Sequence, residues 1–332
     1  MVIALGALVA SGLAGLGAAW LALVDPPGGP GEEVSIIVPP GSSVADIATR
    51  LAKAEVVPSP LGFKVSARLA GSGQFQSGEY VLRERMGARQ AIAALEEGPR
   101  VRYQRLLVRE GLTLREIAEA VGRLPGRDAK RFLDLATSGS TRSALQPAGV
   151  DTLEGLLFPD TYFITDKDDE QAILDRLIGR FEEVATEVRI VGRSTALARE
   201  PYDTVVIASL IEAEARVAED RPLISAVIAN RLREGMRLQI DATVLYALGK
   251  HKERVLLTDL EVKSPYNTYM VDGLPPTPIA AVSHASLRAA LSPAAVDYRF
   301  YVLAEENGKH AFAATEGEFF RLKAEARRKG LL

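Results

Sequence analysis

No charged side chain occurs from Val2 to Val24, and at about 1.5 Å per residue a helix of that length spans the roughly 30 Å hydrocarbon layer of a bilayer. The pattern predicts a membrane-spanning helix over residues 1–24. The stretch is longer than the apolar core of a cleavable signal peptide and no A-x-A site precedes Asp25, which favours an uncleaved anchor. With one residue ahead of the span, the bulk of the chain is expected outside the cytoplasm. Residues 25–33 begin Asp-Pro-Pro-Gly-Gly-Pro-Gly, which has neither helix nor strand propensity and reads as a linker. Beyond it, Val34 to Val38 and Gly78 to Leu82 read as strands, and Gly87 to Glu97 as a helix with Ala88, Ile92 and Leu95 on one side. Lys130 to Ala136 and Glu170 to Val191 also look helical. Between them, Leu153 to Ile164 is apolar and aromatic, broken by Pro159, and reads as a buried connection between domains. From Thr204 the chain is almost wholly apolar until Glu212 and Glu214 close the run. If this segment is helical it is apolar all round and has to be buried.

One pattern recurs at an offset of 70 residues: Val38-Pro-Pro-Gly41-Ser-Ser43-Val44-Ala-Asp46-Ile47-Ala48 matches Val108-Arg-Glu-Gly111-Leu-Thr113-Leu114-Arg-Glu116-Ile117-Ala118. Each copy reads as a strand ending at a glycine turn, followed by a helix capped by Ser or Thr with an acid three residues on, a capping box. Two copies of so common an arrangement arise by chance as readily as by duplication.

Composition narrows the function classes. A chain of 332 residues accommodates two or three globular units, and its formal net charge of -3 supplies no positive field for nucleic acid. There is no cysteine, so disulfides, thiolate nucleophiles and cysteine zinc sites are excluded. The three histidines, His251, His284 and His310, are too far apart in sequence for a helical ligand pair, so no metal is expected, and neither His284 nor His310 is assigned a role.

Chemistry therefore falls to carboxylates. On a helix, residues two apart point about 200° from one another, so Glu212 and Glu214 have to be read separately. Glu212 has Arg216 four residues on, in the favourable acid-first order, and is expected to stay ionised in an ion pair. Glu214 has Leu210 and Ile211 one turn before it and Val217 and Ala218 one turn after, with no basic neighbour at these positions. Desolvation on that face raises a carboxyl pKa, which suits a general acid that must hold its proton near neutral pH. The competing reading is a cleft-edge carboxylate bonded to backbone amides. Downstream, Asn230-Arg-Leu, Gly235 to Val244 with Gln239 and Asp241, Ser264 to Tyr269 with Tyr266, Asn267 and Thr268, and Gly273-Leu-Pro-Pro276 bring amide, hydroxyl and phenol groups into short loops. Such loops suit a sugar, though by composition alone they are more often turn clusters.

Taken in order, Ser209-Leu-Ile-Glu-Ala-Glu214, Asn230-Arg-Leu, Met236-Arg-Leu-Gln239-Ile-Asp241, Tyr266-Asn-Thr-Tyr269 and Gly273-Leu-Pro-Pro276, together with Glu154-Gly-Leu-Leu-Phe-Pro-Asp-Thr-Tyr162, resemble the endolytic murein transglycosylase family, MltG or YceG-like. The resemblance covers about residues 34–320. It implies a single-pass bacterial inner-membrane protein with an extracytoplasmic catalytic part. The activity implied is cleavage of the MurNAc-GlcNAc β-1,4 bond within nascent glycan strands, with 1,6-anhydro-MurNAc ends and no cofactor. The family's catalytic glutamate maps onto Glu214, with Glu212 as the alternative; Gln239, Asp241, Tyr266, Asn267 and Thr268 are the implied substrate-binding residues. The first repeat copy resembles a LysM-like module. The expected fold is α+β: a transmembrane helix (1–24), a linker (25–33), a LysM-like α+β subdomain (34–100), a second strand-turn-helix segment (101–150) and a mixed α/β catalytic domain (151–332). Expected partners are peptidoglycan glycan strands, the membrane, and cell-wall synthases of the elongation or division machinery. Two departures stand out: Ile240 replaces a small hydroxyl residue and Ala242 a proline. Two other functions fit the same features, a noncatalytic peptidoglycan-binding scaffold and a hydrolytic muramidase with Asp241 as second carboxylate.

Overall fold

The computed structural model describes residues 29–191, 200–249 and 255–332. The expected membrane helix lies outside these residues, and no described helix is long and apolar enough to cross a membrane. The elements, in chain order, are β1 (Glu33–Val38), α1 (Val44–Lys53), α2 (Pro60–Leu69), β2 (Gly78–Arg83), α3 (Gly87–Glu97), β3 (Val101–Leu107), α4 (Leu114–Gly122), α5 (Ala129–Thr137), β4 (Thr161–Thr165), α6 (Glu170–Glu187), α7 (Pro201–Glu214), α8 (Arg221–Arg233), α9 (Asp241–Leu248), α10 (His284–Leu291), β5 (Phe300–Leu303), β6 (His310–Ala313) and α11 (Glu316–Arg328). The fold is mixed α+β, in two compact units. One takes the described residues up to Leu106 with Tyr162–Asp168, and the other takes Leu107–Thr161 with Asp169–Leu332. The segment 101–150 thus contributes β3 to the first unit and α4 and α5 to the second.

In the first unit a four-stranded sheet runs β1-β2-β3-β4, with β1 and β2 antiparallel so that Ile36 faces Tyr80 and Val34 faces Leu82. Strand alternation turns Ile36, Val38, Tyr80 and Leu82 inward, where they join Ile47 and Leu51 of α1, Phe63 of α2 and Ile92 and Leu95 of α3 in one core. Both copies of the repeat form what their sequence predicts. Gly41 and Gly111 take φ of +83° and +76°, a turn that favours glycine. Ser43 and Thr113 then cap α1 and α4, each in a reciprocal box with Asp46 or Glu116. The copies lie in different units. In the second, Gly111 N–H donates to Ala281 O at 2.9 Å and Ala281 N–H to Leu112 O at 2.7 Å, tying the repeat turn to the segment before α10.

The second unit is built around α7. Pro201 starts the helix, and every residue from Tyr202 to Ile211 except Asp203 is buried, as an all-apolar helix requires. Helices α8, α9 and α10 pack against it. The hairpin β5–β6 pairs Tyr301 with Phe312 and Leu303 with His310, while Phe300 stacks on Phe319 of α11. Helix α6 ends at Glu187, short of the expected Val191, because Arg189 takes a left-handed φ of +60°.

Since each box satisfies donors at a helix start, Ser43→Ala and Thr113→Ala should each lower stability by about 1 kcal/mol. Urea unfolding of the two variants, followed beside the parent, checks this through a lower midpoint at unchanged slope.

Candidate active site

Glu214 is the last residue of α7, and Ala215 turns the chain into extended geometry (φ -77°, ψ 117°). The helix is over before Arg216, so the i+4 pair expected for Glu212 does not form. Glu212 instead reaches Arg221 at 3.6 Å, and its Oε2 accepts the Ser283 amide at 2.9 Å together with the Ser283 hydroxyl. Ser283 is the cap residue of α10, so this carboxylate is spent on holding one helix to another.

Glu214 has different surroundings. Tyr301 Oη donates to its Oε2 at 3.0 Å. Burial pushes its pKa up to about 7; the nearby Asp241 charge adds to the rise, while the Tyr301 hydrogen bond, the Ala242 amide and Arg216 oppose it. At neutral pH the group is therefore divided between acid and carboxylate, which lets one side chain give a proton and later take one. The same burial, beside the Glu214 charge, drives the Tyr301 phenol well above its ordinary value, so it remains a donor.

The elements that deliver these groups are held by the Asn230-Arg231 pair at the end of α8. Asn230 donates to Val296 O and Tyr298 O at 2.9 and 2.7 Å. Arg231 donates to Arg299 O and Leu238 O, both at 2.6 Å, and its guanidinium lies 5.3 Å from the centroid of the Phe300 ring. One buried pair thus fixes both the approach to β5, which carries Tyr301, and the segment leading to α9, which carries Asp241 and Ala242.

The remaining expected residues divide into two groups. Asp241 is exposed at the start of α9 and accepts Tyr269 Oη at 2.5 Å. Gln239 is exposed as well, with a left-handed φ of +50° that costs a non-glycine residue energy and is often found at functional sites. Asn267 and Thr268 lie behind the surface. Asn267 is fully buried, its amide donating to Leu260 O and Val262 O at 2.8 Å each. Thr268 Oγ1 accepts the Ile240 amide at 2.9 Å and pairs with Thr243 at 2.9 Å. These two side chains bond within the protein, tying the loop and α9 together. Tyr266 is half-buried, its ring 4.8 Å from Tyr246 and its hydroxyl 2.8 Å from Thr277.

Three residues carry no expected role from the sequence, although Glu154 opens one of its motifs. Tyr301 is remote from Glu214 in sequence and meets it only through the fold. Glu154 is 4% exposed, accepts Leu114 N–H at 2.9 Å and Tyr246 Oη at 3.0 Å, and is pushed up to about 7 by burial. Asp220, 1% exposed, takes both the His310 amide and ring Nδ1. Among the described residues no three His, Asp or Glu side chains are grouped so as to hold a metal ion.

A family model described as the YceG-like family matches residues 36–325. A Bacillus subtilis (strain 168) protein named endolytic murein transglycosylase is 36% identical over 304 residues, covering 87% of this chain and 84% of the relative. A Streptococcus pneumoniae (strain D39) protein of the same name is 29% identical over 321 residues, and there the match spans 88% of this chain but 58% of the relative. The crystal structure of a yceG-like protein from Listeria monocytogenes superposes with a TM-score of 0.57 at 31% identity, covering 88% of this chain and 99% of that one.

The raised Glu154 sets a testable pH dependence. A carboxyl whose folded pKa lies above its unfolded value adds stability at low pH that is lost as pH rises through the folded value, here between about 4.5 and about 7. Glu154→Gln keeps an acceptor for Leu114 N–H and a partner for Tyr246 but cannot ionise. At pH 8 it should be more stable than the parent, by on the order of 1–3 kcal/mol, with the gain fading toward pH 4.5. Thermal melts across this range check the prediction.

Proposed function

The chain belongs to the YceG-like family, and on that premise, together with the buried Glu214 carboxyl, we propose that it is a peptidoglycan lytic transglycosylase. The observation that carries the reading is Glu214 itself: a carboxyl at the end of a buried helix, raised to about 7 and held by a phenol donor. In the proposed cycle protonated Glu214 gives its proton to the glycosidic oxygen between MurNAc and GlcNAc, and the bond from MurNAc C1 to that oxygen breaks. The resulting carboxylate removes the proton from the MurNAc 6-hydroxyl as O6 bonds to C1, which leaves 1,6-anhydro-MurNAc and returns Glu214 to its acid form. No water is consumed and no cofactor takes part. One carboxyl suffices because the substrate supplies its own nucleophile.

Gln239, Asp241 and Tyr266 are the proposed contacts to the sugar rings. The exposed, strained Gln239 and the exposed Asp241 support that role, and Asn267 and Thr268 support it from behind. The charge-free stretch at 2–24 supports a single-pass anchor in the cytoplasmic membrane, with the catalytic part outside the cytoplasm. The order β1-α1-α2-β2 supports a LysM-like, glycan-binding reading of the first unit. Cell-wall synthases as partners rest on the family resemblance.

A second reading, a muramidase that adds water, is favoured by one observation: the Asp241 charge acts on Glu214, as a second carboxylate at the same site would. The products separate the two. From purified peptidoglycan the full chain should release fragments one water lighter than hydrolysis products, seen by mass spectrometry, and Glu214→Gln should release none while melting no lower than the parent. Hydrated ends would select the muramidase. Fragments from a clean Glu214→Gln preparation would overturn the assignment of the acid.

A further inference from the structure

We infer that Asp220 and His310 are positioning residues for the general acid, acting through the Tyr301 ring. This rests on the reading of Glu214 given above. Asp220 is the residue before the first turn of α8, the place where an aspartate ordinarily caps the helix, yet its side chain makes no capping bond. It points instead to β6, where Oδ2 accepts the His310 amide at 2.8 Å and lies 2.9 Å from the ring Nδ1. Its other oxygen, Oδ1, is buried with no partner. A carboxylate that forgoes a cap and leaves one oxygen unsatisfied is stabilised by whatever bonds it does make, and both go to His310.

The pairing of β5 with β6 puts that imidazole where it matters. Leu303 faces His310 and Tyr301 faces Phe312, so Tyr301, His310 and Phe312 project from the same face of the hairpin. The His310 ring meets Tyr301 nearly edge-on, with centroids 5.3 Å apart and planes at 83°; Phe312 lies 6.0 Å from Tyr301, and Tyr298 stacks on Phe312 at 5.7 Å. Turning the ring about Cβ–Cγ leaves the phenol oxygen on the axis, but rotation about Cα–Cβ swings it through several ångströms. The edge contact from an imidazole that is itself bonded at two points removes that freedom. Tyr301 Oη is then held 3.0 Å from Glu214 Oε2, and the acid's proton affinity is set by a donor of fixed geometry.

The readout is the alkaline limb of the pH–rate profile, where activity falls as Glu214 loses its proton. The charged or polar groups acting on Glu214 are Tyr301 from β5, Asp241 and the Ala242 amide from α9, Arg216 after α7, and Tyr269 from the loop that carries it. Of these, Tyr301 is the one whose ring packs on His310. Removing its donor should raise the Glu214 pKa, so Tyr301→Phe should move the limb upward by about half a unit to one unit. His310→Gln keeps a donor for the buried Asp220 but removes the ring, and should shift the limb in the same direction. Adding His310→Gln to Tyr301→Phe should cause no further shift, since the histidine then has no hydroxyl to place. Asp220→Asn, which still accepts both bonds, should keep the parental limb.

The measurement uses the full chain in detergent micelles on purified peptidoglycan, with a melt of each variant. Should His310→Gln not fold, His310→Asn carries the same comparison. Additive shifts, or a uniform loss at every pH with the limb unmoved, would overturn the inference. Activity in Glu214→Gln would instead overturn the underlying reading, so the two failures are distinguishable.

Discussion

A carboxyl group carried at the end of an apolar helix cannot rely on water, and the second unit is organised around that fact. Helix α7 is buried because it has no polar face, and it brings Glu214 to a place where ionisation is disfavoured. Left there alone, the carboxyl would simply stay protonated. Three donors or charges moderate the burial: the Tyr301 phenol, the Ala242 amide at the positive end of α9, and Arg216. The balance near neutrality is what makes the group usable in both directions, and it depends on groups drawn from three separate stretches of chain.

Bringing those stretches together is the work of residues that do no chemistry. Arg231 is 8% exposed, and burial lowers its pKa, yet it remains a cation whose donors are met by main-chain carbonyls on two converging segments. Losing it would leave those carbonyls unsatisfied and release both the strand of Tyr301 and the start of α9. Asn267 and Ser209 act in the same way. Ser209 Oγ accepts the Ile279 amide at 3.1 Å, so the motif that carries the acid also holds the proline-rich loop. Several of the polar residues that make the motifs recognisable are therefore struts. They are short-range solutions to buried backbone groups, set beside a single group with a shifted proton affinity.

How much of this could be read from the chain follows from the range of each interaction. Strands β1 and β2, helices α1 and α3 to α6 and both capping boxes depend on neighbours within four residues, and the sequence pattern located them, with α6 ending a few residues early at the left-handed Arg189; α2, the β5–β6 hairpin and α9 to α11 carried no such signal. The apolar neighbourhood of Glu214 was legible for the same reason, because helical spacing alone places Leu210 and Ile211 beside it. Glu212 does not pair with the expected Arg216 because Ala215 ends α7 and frees Glu212 for Arg221 and Ser283. Tyr301, His310 and Asp220 were illegible, since strand register and the turn of α8 join residues up to 90 positions apart. Asn267 and Thr268 carry the right chemistry for a sugar, but sequence gives no sign that their groups are turned inward.

The departures from the family pattern gain a physical meaning at this site. Where the resembled motif carries proline, Ala242 has an N–H, and that N–H is one of the groups that lower the Glu214 pKa. A proline at the second position of a helix is tolerated but has no such donor. Ile240, in place of a small hydroxyl, is buried, and its amide is bonded by Thr268, so the start of α9 is fixed through backbone and threonine contacts and needs no side-chain cap there. Both changes act on the same helix end. Burial on the apolar helix dominates the Glu214 proton affinity, and the Ala242 N–H where α9 begins draws it back down.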